Sequence, residues 1–153
     1  MSRELVQANL DTCERHASRL AWAMSTLSSL KPLTPDKLNS LTPIDLAVLD
    51  QFVARYSKLQ DAMGARLLPS VLELTQEQGA LVAFIDKLNR LEKIGAIASA
   101  EQWQQYREMR NQFAHDYPDD PEIQASLLNK GFRLAASLLQ ELDSVKTFVQ
   151  RYM

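Results

Sequence analysis

Apolar residues recur every three or four positions along almost the whole chain, and nowhere do they alternate in the period of a strand. From Arg3 to Ser29, Val6, Leu10, Cys13, Ala17, Leu20, Met24 and Leu27 alternate spacings of four and three, which is the seam of a bundle helix. A connector with three prolines follows from Leu30 to Pro43, and Thr34-Pro35 suits a short helical turn inside it. Thr42 then caps a second helix with Pro43 at its first position and Asp45 in its first turn. Its stripe is Leu49, Phe52, Tyr56, Leu59, Met63 and Leu67, and Pro69 should kink or end it.

Three further helices follow. Thr75 and Gln78 have capping-box spacing ahead of Leu81, Phe84, Ile85, Leu88 and Leu91, and Gly95 is placed as a C-cap. Ser99 and Gln102 repeat that spacing before a helix over Glu101 to Ala114. Asp119 or Asp120, followed by Pro121, caps the last helix, whose stripe is Leu127, Leu134, Leu138, Leu142, Val145, Val149 and Tyr152. The expected fold is all-α, an antiparallel bundle of four to five helices with residues 1–153 in one domain.

Bulk properties narrow the function. A net charge of −2 does not mark a nucleic-acid binder, so an anionic partner must be met by a local patch. The single Cys excludes an internal disulfide and suits a reducing cytoplasm. There is no basic segment leading into an apolar run at the start, and no apolar stretch nears the roughly 20 residues a membrane span needs. A cytoplasmic protein is expected. Two histidines, one cysteine and no carboxylate–histidine spacing give no metal site, and no cofactor is implied. The glycines stand alone, without a phosphate loop.

The chemistry concentrates in Arg110-Asn111-Gln112-Phe113-Ala114-His115-Asp116-Tyr117. Pro118 disfavours helix at Tyr117, so His115 is expected in the last turn. Tyr106, Met109 and Phe113 share an apolar arc, Asn111 and His115 stack on another, and Arg107 and Arg110 lie between them beside small Ala114. That arrangement suits the floor of a phosphate site. It equally suits a cation and an imidazole answering a helix C-terminus.

The pattern Arg-x4-His-x-Tyr, with Asn after the Arg and Ala before the His, resembles the HEPN superfamily, and within it the HepT-type toxins. Arg110, Asn111, His115 and Tyr117 match that motif position by position, within a small helical chain and near the end of the penultimate long helix. The resemblance implies metal-independent RNA cleavage by a homodimer whose two motifs face one cleft, in a type VII-like toxin–antitoxin pair. It also implies an MntA-like nucleotidyltransferase antitoxin that adenylylates the motif tyrosine, here Tyr117. A non-catalytic helical module that binds a nucleotidyltransferase or a nucleotide is the alternative function, with a plain helical interaction domain behind it.

The residues fit the chemistry. His115 is the motif residue that titrates near neutral pH and so suits a general base toward an RNA 2′-hydroxyl. Arg110 supplies a fixed cation for the charge developing on phosphate, and Asn111 orients the imidazole or donates to a phosphate oxygen. One histidine is too few for both base and acid, and two-fold pairing supplies the second. Tyr117 reads either as a buried loop anchor or as a modified, ligand-facing phenol. Arg107, Lys130 and Arg133 are candidate RNA-binding cations, although such sets, including Lys87, Arg90 and Lys93, are usually solvated faces. His16 reads as a boundary residue beside Arg15 and Arg19, Cys13 as core, and Trp103 and Tyr106 as core rather than base-stacking platforms.

Overall fold

The computed structural model describes residues 2–75, 83–115 and 119–153, and all regular structure in them is helical. The helices are α1 (Ser2–Thr26), α2 (Pro35–Asn39), α3 (Pro43–Ala62), α4 (Leu68–Leu74), α5 (Phe84–Lys93), α6 (Ala100–Ala114) and α7 (Pro121–Val149). The all-α expectation holds, with the long helices α1, α3, α6 and α7 forming the bundle. Neighbours run antiparallel. Asn9 meets Ser70 while His16 meets Arg55, and Phe113 lies over Gly131 while Ala98 meets Glu141. No described helix is long and apolar enough to cross a membrane.

Local signals account for most helix ends. Thr42 and Asp45 form a reciprocal capping box at 3.1 and 3.2 Å. Thr34 caps α2, Ser99 accepts from the Gln102 N–H at 3.1 Å, and Asp120 rather than Asp119 caps α7. Gly95 takes φ 87° after α5, which lets the Ala96 N–H reach the Leu91 carbonyl at 2.9 Å and its own N–H the Glu92 carbonyl at 3.1 Å. This is a Schellman end, open to Gly because it lacks Cβ. The box proposed for Thr75 and Gln78 involves Gln78, which lies outside the described residues, as does Leu81.

Pro69 does not end the second long helix. The backbone passes from α3 through one π-helical stretch, Met63–Leu67, into α4, whose first turn holds Pro69. A proline has no N–H for the helix ladder, and its ring would press on the carbonyl four residues back. Wider π geometry just before it relieves both conflicts. Ser70 Oγ donates to the Leu67 carbonyl at 2.7 Å, and Asn9 Nδ2 reaches the Arg66 carbonyl at 3.3 Å from α1.

The buried side chains form one cluster that draws on α1, α3, α4, α5, α6 and α7. Cys13, Phe52, Tyr56, Leu59, Trp103 and Leu138 are fully buried, which places Cys13 and Trp103 in the core as expected. Burial pushes the Cys13 thiol up to about 12, so it carries no thiolate at neutral pH. Ile85 departs from its expected stripe and is exposed, leaving Leu88 and Leu91 to anchor α5. The Tyr56 hydroxyl donates to the Tyr106 carbonyl at 2.9 Å and ties α3 to α6 inside the core. Asn129 of α7 bonds both the N–H and the carbonyl of Leu33, at 2.8 and 2.9 Å, which holds the proline-rich connector down.

Candidate functional site

The end of α6 is set by aromatic packing. Phe113 meets Tyr56 edge-on at 5.4 Å and Phe52 edge-on at 6.1 Å between ring centroids. On its other side the ring tip points at Gly131 of α7, where an added Cβ would lie 2.6 Å from Phe113 Cζ. The glycine therefore lets α6 and α7 close together two residues before His115. His115 itself has left helical geometry (φ −96°, ψ 146°), and its N–H closes on the Gln112 carbonyl at 3.2 Å. It caps the helix rather than completing its last turn.

His115 is exposed and borders a depression of about 400 Å³ walled by Leu38 of α2, by Leu49 and Asp50 of α3, and by Asp119 and Gln124. Among the described residues, two carboxylates and no Arg or Lys share that depression. Arg110 turns elsewhere. Its Nε and one terminal nitrogen form a two-pronged pair with Asp61 of α3 at 2.9 and 3.0 Å. That carboxylate holds the guanidinium above its ordinary value. Asp61 and Arg107 wall a second depression of about 340 Å³ with Gln60, Gly64, Ala65 and Phe84. The Arg107 guanidinium lies over the Phe84 ring at 5.7 Å. Within one chain, then, Arg110 is held by Asp61 and is not among the residues that wall the depression His115 borders.

The remaining candidates are placed as follows. Asn111 is exposed and makes no side-chain hydrogen bond among the described residues. Lys130 and Arg133 are exposed on α7. Tyr117 lies outside the described residues, together with Asp116 and Pro118. Among the described residues, no three of His, Cys, Asp and Glu converge as a metal-ligand group.

Sequence reasoning missed Asp61, 49 residues from Arg110 and without a local sign of the pairing. It also missed the partner of His16. Nδ1 of that half-buried ring faces an Arg55 terminal nitrogen at 3.1 Å. Arginine is only a donor, so Nδ1 accepts and the ring is neutral with its proton on Nε2. Burial first, then the charges of Arg55, Lys58, Arg15 and Arg19, holds His16 below its ordinary value. Comparison with protein-family models, with curated proteins and with solved structures finds no match to this chain.

Proposed function

We propose that the protein is a metal-independent endoribonuclease toxin of the HEPN type, acting in the cytoplasm as a homodimer. The observation that supports this reading is that Arg110, Asn111 and His115 follow one another over the C-terminal end of α6, where Asn111 and His115 are exposed. In the proposed reaction His115 takes the proton from a ribose 2′-hydroxyl, and the 2′-oxygen bonds to phosphorus. The bond to the 5′-oxygen breaks, and the partner subunit's His115 protonates that leaving oxygen. Arg110 neutralises the charge on the phosphoryl oxygens. A phosphate presents two oxygens to a guanidinium much as a carboxylate does, so it can take the place of Asp61.

Control follows from the same motif. In this reading a nucleotidyltransferase antitoxin attaches AMP to Tyr117, whose phosphate then occupies the position meant for RNA. Tyr117→Phe should keep most cleavage and escape neutralisation. Intact mass after incubation with ATP, magnesium and the partner enzyme checks this, and an AMP-sized gain that persists in Tyr117→Phe refutes the assignment.

One observation favours a second reading, a non-catalytic helical module that binds a nucleotidyltransferase or a nucleotide. Arg110 is held by Asp61, and His115 borders a depression that carries Asp50 and Asp119. RNA incubation with EDTA separates the two. Cleavage by the wild type that is lost in His115→Ala supports the ribonuclease, and equal cleavage by both proteins, or none by either, removes it.

A further inference from the structure

We propose that the face shared by α1 and α3, carrying Arg15, Arg19, Trp22, Arg55 and Lys58, binds single-stranded RNA. This deepens the ribonuclease reading by giving the substrate a path outside the motif.

The α1 part is a row. Arg15, Arg19 and Trp22 follow one another at four and three residues, so they stack along one side of the helix about 6 and 4.5 Å apart. Arg15, Arg19 and Trp22 are all exposed, and Trp22 keeps 56% of its surface in water. The contact between His16 and Arg55 fastens this row to α3. Lys58, one turn along from Arg55, is exposed beside it.

Among the described residues, none of the four cations has a carboxylate partner. Arg15 instead donates to the Thr12 hydroxyl at 3.3 Å. The nearby acids are engaged elsewhere: Asp11 accepts from Gln7, Glu14 pairs with Lys146, and Asp61 pairs with Arg110. A chain of net charge −2 thus gathers uncompensated positive charge on one face. All four cations lie near enough to His16 to disfavour its protonated form.

Charge selects an anion, and Trp22 selects which one. An exposed indole at the end of a row of cations is a platform for a base, and bases offer their faces only when unpaired. Three residues beyond Lys58 on α3 is Asp61, which holds Arg110. A strand lying on this face therefore leads toward the motif arginine.

The test uses a labelled single-stranded oligouridine with EDTA, read by fluorescence anisotropy on the full chain carrying His115→Ala, so that nothing is cut. Four phosphate contacts give a log–log salt slope of about −3, from roughly −0.7 per phosphate on a single strand. Lys58→Ala should flatten that slope by about 0.7. Trp22→Ala should weaken binding on the order of tenfold without changing the slope. The Arg15→Glu/Arg19→Glu pair should weaken it by more than tenfold, while Lys93→Glu on α5 should leave it unchanged. Circular dichroism checks that each variant is folded.

Absent binding by the parent, or equal binding by the parent and the folded double variant, overturns the proposal. So does equal affinity for a fully paired RNA hairpin, or Trp22-dependent binding to phosphatidylserine vesicles in place of RNA. Binding without cleavage by the wild type would remove the ribonuclease and leave this surface. Cleavage unchanged by Arg15→Glu/Arg19→Glu would remove the surface and leave the ribonuclease.

Discussion

Gly131→Ala separates local preference from tertiary packing, because the two predict opposite signs. Gly131 lies inside α7, where replacing Gly by Ala should stabilise the helix by about 1 kcal/mol. The new methyl, however, would stand 2.6 Å from Phe113 Cζ and 3.5 Å from each Cε. Ordinary carbon contacts need about 3.5–4.0 Å, so the ring must retreat by roughly 1 Å. It has little room, since Tyr56 and Phe52 hold it edge-on at 5.4 and 6.1 Å. Overpacking of this kind costs about 1–3 kcal/mol, which leaves a net loss of roughly 0–2 kcal/mol. For a chain of this size each kcal/mol moves Tm by about 2–4 °C, so Gly131→Ala should lower Tm by up to about 8 °C. Propensity alone would raise it by about 2–4 °C.

The control is a double-mutant cycle followed by thermal unfolding. Phe113→Leu removes the ring tip, and in that background Gly131→Ala should become stabilising by about 1 kcal/mol. A higher Tm for Gly131→Ala in the wild-type background refutes the argument, because Phe113 would then yield freely. So does a cycle with no coupling between the two sites.

Three further outcomes are expected. Arg110→Ala and Asp61→Ala should each shift Tm by no more than about 2–4 °C, because the pair is 34% and 51% exposed and such pairs contribute at most about 1 kcal/mol. In the proposed ribonuclease, Arg110→Ala should nevertheless abolish cleavage, and a large loss of Tm would mark the pair as structural. His16 is held below its ordinary value of about 6.5 in the folded state, so the unfolded chain takes up the proton first as pH falls. Stability should therefore fall below about pH 6.5, and His16→Gln should flatten that part of the curve; urea midpoints that track the wild type would refute it. Thr42→Ala removes one half of a reciprocal capping box and should destabilise by about 1 kcal/mol, read from the urea midpoint.

The division between sequence and tertiary structure follows the range of the interactions. Helix positions, their buried stripes and most of their caps depend on residues within one or two turns, so periodicity and capping chemistry reveal them directly. Thr42 with Asp45, Asp120 before Pro121, and Gly95 after α5 are of this kind. The exposed helix end at His115 was legible for the same reason. Pro69 was legible as a conflict but not as its resolution, since the π turn draws on Asn9 from another helix.

What those helix faces meet was set by the fold. Asp61 reaches Arg110 across 49 residues and Arg55 reaches His16 across 39, and no spacing in the chain announces either. Gly131 carries no side chain to signal that Phe113 needs its space. Each of these contacts joins two helix surfaces whose rotation is fixed by the packing of the whole core. Sequence periodicity therefore determined which elements form, and close packing between them decided that Arg110 turns to Asp61 while His115 faces α2, α3 and α7.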